Sequence, residues 1–379
     1  MKKISKLTLY LIVLFISNSQ LAQEAFEMKD IFSLQYANDI QISPDGEHIV
    51  YRRMGYDIMD DKSTGSLWIM NSDGSEHQKL TTRDQSESSP RWSPDSNRLA
   101  FVSKGKEGSE VFLYWLNSGK FARITQLAES PSSLTWSNDG SQLAFSMFKP
   151  SEAPVIAKLP KKPEGANWAP KPRITDRLNH ESDGRSYIPT GFYHLFVMPA
   201  DGGAVRQVTS GDYNHRGSIS WSQDDSQLYF SANRNDDWEY DFRNSEVYTV
   251  NVKDGKIKAL TERDGPDSSP QVSPDGSVVA YLGFDDRRDA YQNTLLYIMK
   301  PDGSDKRCMT AELDMSISSI RWDAKGKGLF FNYDKHGNGK IGYIDLNGNF
   351  KNIAQNRGGT TLGRPYGSGM FSLSDNGTI

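Results

Sequence analysis

One five-residue phrase, repeated along the chain, constrains this sequence more than any other feature. It reads Ile42-Ser-Pro-Asp-Gly46, Trp92-Ser-Pro-Asp-Ser96, Trp136-Ser-Asn-Asp-Gly140, Trp221-Ser-Gln-Asp-Asp225, Val272-Ser-Pro-Asp-Gly276 and Trp322-Asp-Ala-Lys-Gly326, with a last trace at Leu373-Ser-Asp-Asn-Gly377. Most copies lie about 45 to 50 residues apart, the spacing of propeller blades, with one much longer gap between the third and fourth. The phrase is a turn: Pro presets φ, Asp bonds its own backbone and Gly takes positive φ. Around it the same order recurs. A short apolar strand ends at the Trp position, and a second follows the turn, as in Arg98-Leu-Ala-Phe-Val-Ser103. A loop leads to a third, such as Leu195-Phe-Val-Met198 or Leu296-Tyr-Ile-Met299, which ends in an Asp-Gly or Ser-Gly turn. A fourth closes on Leu-Thr or Ile-Thr, as at Leu80-Thr81, Ile124-Thr125 and Leu260-Thr261.

Four antiparallel strands joined by hairpins cannot bury both faces alone; radial packing of such units solves this. The fold class is therefore all-β, a β-propeller of four-stranded antiparallel blades. Six units are complete, at about 38–81, 88–125, 132–209, 217–261, 268–310 and 317–353. The seventh shows only its first strand and turn before Ile379, so the ring reads as incomplete in this chain and the chain as interrupted. A short helical piece is expected near Met28 to Tyr36.

Composition narrows the function classes. With 36% hydrophobic residues over 379 the chain can build a core, and a net charge of -4 gives no basic surplus for nucleic acid. The single cysteine, Cys308, allows no internal disulfide and reads as a buried strand thiol. No pair among the six histidines has metal-ligand spacing, and no phosphate-binding glycine loop occurs, so no metal site and no cofactor is implied. Asp334-Lys-His-Gly-Asn-Gly339 lacks the acidic run and closing Glu of a calcium loop and reads as a hairpin. Lys2, Lys3 and Lys6 before the apolar run from Leu7 to Ile16 read as a signal peptide over residues 1–22, with an uncleaved anchor as the alternative. This places the mature domain, residues 23–379, outside the cytoplasm, secreted or periplasmic, as in a Gram-negative bacterium. No other segment is apolar enough to span a membrane.

The third unit is interrupted by an insertion at about 148–192, rich in proline, which serves either as a functional loop or as cover for a blade edge. It lies between the second and third strands, and the other loops at that position are also the rich ones. They carry Arg234-Asn-Asp-Asp-Trp-Glu-Tyr-Asp241 in the fourth unit and Asp285-Asp-Arg-Arg-Asp289 in the fifth. All emerge on one face of the disc. Candidate gating or interdomain residues on it are Arg185, Tyr187, Arg234, Asp237, Trp238, Glu239 and Arg287. The competing reading is solvated charge on long loops.

The Trp-Ser-Pro-Asp-Gly strand, the Leu-Tyr-x-Met-x-x-Asp-Gly strand and the trailing Leu-Thr resemble the N-terminal propeller of the prolyl oligopeptidase family of serine peptidases. Asp183-Gly-Arg-Ser-Tyr187 leading into His194-Leu-Phe-Val197, and Asn233-Arg-Asn-Asp-Asp-Trp-Glu-Tyr240, point to its acylaminoacyl-peptidase and dipeptidyl-peptidase-like branch. The resemblance runs from about residue 28 to 379. It implies a propeller that restricts access to an α/β-hydrolase domain whose Ser-Asp-His triad has its serine in a Gly-x-Ser-x-Gly elbow. No such elbow and no strand–helix alternation occur in this chain, so no catalytic residue is assigned to it. Asp237 to Tyr240 is similar to an acidic motif that dipeptidyl peptidases use to hold a substrate amine, but its place within the blade differs. The expected partner is a peptide substrate, met through a catalytic domain outside this sequence. The Tol-system translocation propeller shares the blade phrase, which leaves a freestanding periplasmic propeller binding a protein partner as the alternative. A propeller enzyme with an axial site is the third reading, and it needs ligand-rich inner strands that are not evident here.

Overall fold

The computed structural model describes residues 25–357 and 369–379, apart from 106, 107, 153, 158, 159, 171, 172 and 185. The signal segment therefore lies outside the described residues. The chain divides into two compact units, one of residues 1–36 and 54–64 and one of residues 37–53 and 65–379. In the first, the expected helical piece is a 3-10 turn at Met28–Ser33, where the Glu27 N–H donates to the Asp30 carboxylate at 2.7 Å. No described helix is long and apolar enough to cross a membrane.

Six four-stranded antiparallel sheets follow the predicted order, each with its strands side by side in sequence. Blade one holds Tyr36–Ile42, His48–Asp57, Lys62–Asn71 and Gln78–Lys79; blade two holds Glu87–Trp92, Arg98–Lys104, Ser109–Trp115 and Lys120–Arg123. Blade three is Pro131–Trp136, Gln142–Pro150, Gly191–Pro199 and Arg206–Gln207. Blade four is Ser220–Trp221, Gln227–Ala232, Glu246–Asn251 and Ile257–Ala259. Blade five is Asp267–Val272, Val279–Gly283, Leu295–Met299 and Arg307–Cys308; blade six is Ile317–Trp322, Gly328–Lys335, Asn338–Asp345 and Phe350–Arg357. Cys308 lies in a fourth strand as expected, half-buried rather than buried. The Asp334 loop is a tight hairpin, with His336 and Gly337 at φ 53° and 74° between paired Lys335 and Asn338.

Each sheet buries its faces against its neighbours. One apolar layer joins blades two and three through Leu113, Trp136, Leu143 and Phe196; another joins blades five and six through Leu296, Ile298, Trp322 and Phe331. The recurring phrases have a hydrogen-bonding reason. In each Ser-x-Asp turn the serine hydroxyl donates to the aspartate and accepts the N–H five residues on, as for Ser273, Asp275 and Val278 at 2.6 and 3.0 Å. Bonds from Ser273 and Ser277 hold the Asp275 carboxyl down to about 2. In blades two to five the closing threonine accepts the N–H of the third strand: Val111 to Thr125, Leu195 to Thr209, Val247 to Thr261 and Leu296 to Thr310, all at 2.9 Å; in blade one the Leu67 N–H goes instead to the Glu87 carboxylate, to which Thr81 also donates. At three of the four Trp positions the indole N–H donates to the inner strand of the preceding blade: Trp92 to the Gln41 carbonyl, Trp136 to Arg91 and Trp322 to Gln271, whereas the Trp221 indole N–H has no partner among the described residues.

The seventh phrase folds as the same turn. The Ser374 hydroxyl donates to Asn376 and accepts the Thr378 N–H, although no strand forms among its described residues. It lies beside blade one, since the Ile42 N–H donates to Ser372 at 3.0 Å and Asn376 donates to the Asp45 carbonyl at 2.9 Å. Val272 of blade five uses Ser220 of blade four in the same way, at 3.1 Å, so residues 372–378 take the inner place of the blade preceding blade one.

Candidate functional site

Strand order sends two sets of connections to one face: the loops between second and third strands, and the links from one blade to the next. The other face carries only the tight turns. Among the described residues of the propeller unit, every exposed large hydrophobic side chain except Ile353 and Ile379 lies in the second-to-third-strand loops of blades three, four and five. Val155 and Ile156 are 78% and 79% exposed, Tyr240 77%, Phe242 74% and Tyr291 73%.

Within this face the insertion and its neighbours enclose a cavity of about 590 Å³. Phe148 and Tyr193 form one wall, edge to face with centroids 5.4 Å apart. Trp238 and Arg177 form another, packed against Phe192 beneath, the Trp ring at 6.2 Å and the guanidinium at 4.3 Å from its centroid. Arg216 lies over the Tyr193 ring at 5.5 Å, and Tyr187, Glu129, Glu181 and Asn214 complete the lining. The small hairpin of the insertion, Glu181–Ser182 paired with Ser186–Tyr187, carries Tyr187 here, with the Arg173 guanidinium 3.4 Å above its ring. Gly191 ends the insertion at φ 144°, where a Cβ would meet the Lys149 carbonyl at 2.4 Å, so the return into blade three requires glycine. The lining is aromatic, with guanidinium and carboxylate groups at its edges. Such a site can stack apolar side chains and bind both ends of an amide chain.

The predicted residues separate. Trp238 and Tyr187 meet at the cavity. Asp237 is exposed, and its carbonyl accepts the Tyr240 and Asp241 N–H groups, shaping the loop. Glu239 is half-buried, its Oε1 without a partner. Arg287 pairs with Asp289 at 2.9 Å in blade five, away from the cavity lining. Arg185 lies outside the described residues. Arg234 turns inward: its Nη1 donates to His215 Nε2 at 2.5 Å, and its guanidinium lies 4.6 Å from the Tyr213 centroid. Because arginine only donates, His215 carries its proton on Nδ1, which faces the Tyr193 carbonyl and His194 Nδ1, both at 3.3 Å. Burial, then Arg234 and His194, lower His215 to about 3; burial, then Lys149 and Arg234, lower His194 to about 4. Both imidazoles are neutral at neutral pH and brace the floor under Tyr193. Sequence reasoning missed Arg177, Arg216 and Glu129; the last two come from blade-to-blade links, which share the loop-bearing face.

A family profile, the dipeptidyl peptidase IV N-terminal region, matches residues 167–286, a span that includes most of this lining. The chain is 26% identical over 323 residues to dipeptidyl-peptidase 5 of Porphyromonas gingivalis, covering 79% of this chain and 45% of that protein. Its fold superposes on an acylaminoacyl peptidase of Pyrococcus horikoshii with a TM-score of 0.67 at 18% identity, over 86% of this chain and 47% of that one. The chain thus spans about half the length of these two proteins. A shorter stretch of 102 residues is 29% identical to the Tol-Pal system protein TolB of Francisella tularensis, 26% of this chain and 22% of that protein. The chain thus carries a β-propeller that is similar, over residues 167–286, to the dipeptidyl peptidase IV N-terminal region.

Proposed function

We propose that this propeller is the substrate-gating part of an exported serine peptidase that hydrolyses short peptides, and that the Trp238 cavity receives an extended peptide on its way to a catalytic domain docked against the loop-bearing face. The observation that carries this reading is the coincidence, on one face, of the exposed apolar loops and an aromatic cavity large enough for a few residues. Aromatic walls supply sequence-tolerant stacking, and Arg177 and Glu181 offer opposite charges to the ends of a short chain. Binding of fluorescein-labelled tetrapeptides, followed by anisotropy, tests it. Trp238→Ala and Arg177→Ala are expected to weaken binding at least fivefold without changing the melt. Unchanged affinity in both variants overturns the assignment of the cavity. Capture of a folded protein but of no short peptide favours a freestanding protein-binding propeller, the reading to which the TolB-like stretch belongs.

A further inference from the structure

The inner strands of blades two and three, four and five, and five and six pack on one another around the axis. The residue before the Trp position is polar in every copy: Gln41, Arg91, Thr135, Ser220, Gln271 and Arg321, with Ser372 in the seventh turn. Thr135, Ser220 and Gln271, from three successive blades, line one cavity of about 340 Å³ together with Trp322 of blade six, so these positions border an axial passage.

Charge in that passage is unbalanced. Arg91 donates from Nη1 to both oxygens of Asp39, at 2.9 and 3.1 Å, and to its neighbouring Pro90 carbonyl. Asp39 also accepts from Gln41 at 2.9 Å. Arg321, at the same position in blade six, makes a single protein hydrogen bond among the described residues, from Nη1 to the Ile320 carbonyl at 2.8 Å, and has no carboxylate partner there. Its side chain is open to water, yet its pKa is lowered by burial first and by Arg91 second, with Asp39 acting in the opposite sense. Arg321 and Arg91 hold the same inner-strand position in blades six and two as the residues that line this cavity. Arg91 thus takes the Asp39 carboxylate and Arg321 has none, and Nη2 and Nε of both guanidiniums have no protein acceptor among the described residues.

We propose that the axial passage holds a small oxyanion, a carboxylate or a phosphate group, between Arg321 and Arg91. Planar guanidinium forks match both anions, and an enclosed passage strengthens the attraction relative to open surface. The site is separate from the Trp238 cavity, so loss of peptide binding there leaves it untouched.

Isothermal titration of the full chain at low salt tests it with three probes: inorganic phosphate, acetyl-trialanine with a free carboxylate, and the same peptide as its amide. Phosphate or the free-acid peptide is expected to bind, with the amide silent, and Arg321→Gln to weaken binding by about tenfold or more while Arg321→Lys retains part of it. Binding of the free-acid peptide but not phosphate identifies the source as a peptide terminus, and the reverse identifies a free phosphate. If Arg321→Gln does not fold, wild-type chain must still show a rise in melting temperature with phosphate or with the free-acid peptide that chloride at equal ionic strength and the peptide amide do not give. The proposal is overturned if no anion binds at millimolar concentration, or if wild type and Arg321→Gln bind equally.

Discussion

The junction of blades four and five gathers carboxyl groups that should not all be charged. Glu246, 6% exposed, accepts the Arg263 N–H on Oε1 at 2.7 Å, while Oε2 has no partner. Asp267, fully buried, pairs with the Arg263 side chain at 3.2 Å. Burial pushes Glu246 up to about 7, with Asp267 adding to the shift and Arg263 opposing it; burial likewise raises Asp267 to about 6. A raised carboxyl pKa contributes stability that is fully present below the unfolded value near 4.5 and is lost as pH climbs through the folded value. Between pH 5.5 and 8.5 the ionisation of Glu246 therefore costs the wild-type fold about 2 kcal/mol. Glu246→Gln mimics the neutral form and cannot ionise. Its amide nitrogen replaces an unpartnered oxygen, which adds a penalty, but one independent of pH. Urea melts of wild type and variant at the two pH values, followed by tryptophan fluorescence, isolate the term: the stability difference is expected to move by about 2 kcal/mol in favour of Glu246→Gln at the higher pH. An identical difference at both pH values refutes the claim that the fold holds Glu246 protonated.

The histidine pair acts in the opposite sense. With folded pKa values near 4 and 3, His194 and His215 stay neutral while the unfolded imidazoles take protons below about 6.5, so stability is complete above that pH and falls as acid is added. At pH 5 each costs about 2 kcal/mol relative to pH 8, and His194→Gln is expected to lose about that much of the acid sensitivity in thermal melts; an unchanged pH profile refutes this. In blade six, Phe331 is fully buried, its ring stacked on Phe350 at 6.0 Å, so Phe331→Ala is expected to cost about 3–5 kcal/mol in a urea titration; a loss below 1 kcal/mol means that the blade collapses into the space.

What the sequence made legible was what the backbone repeats locally. The Ser-x-Asp turn and the closing threonine recur because each satisfies backbone N–H groups a few residues or one hairpin away, and such needs recur in every blade. The inner strands hid a further regularity: Ser89, Ser133, Ser269 and Ser319 all take φ between 53° and 54°, at or beside register shifts that bend the strand. The serine pairs that signal these bends are visible in the sequence, but serine also suits ordinary strands, so nothing marked them as bulges. The buried glutamates were missed for a similar reason. Ser109-Glu110-Val111 and Ser245-Glu246-Val247 repeat, and each glutamate receives a backbone N–H from the link to the next blade, Leu127 and Arg263 respectively. A charged residue inside an apolar strand reads as an edge position until the fold shows what lies opposite. Arg234 was legible as a residue of the loop-bearing face but not as the partner of His215, because that contact joins two different loops.

The same hydrogen-bond economy explains where function can reside in this fold. On the face of tight turns, each aspartate of a Ser-x-Asp turn already accepts from a serine hydroxyl and one or more N–H groups, and the conformation tolerates little but small polar residues and glycine. Gly46 illustrates the constraint: at φ 80° any Cβ would lie 2.3 Å from Asn376, so a larger residue there would push away the seventh turn. The loops on the other face can change length without disturbing a blade, which is how blade three accommodates residues 148–192. The axial positions are free in a different way, since the residue before each Trp position faces neither neighbouring blade's core and needs only to be polar. Substitutions that alter what this propeller recognises should therefore concentrate in two places, the loop-bearing face and the axial ring, while equal changes in the turns should register as lost stability before they alter any ligand.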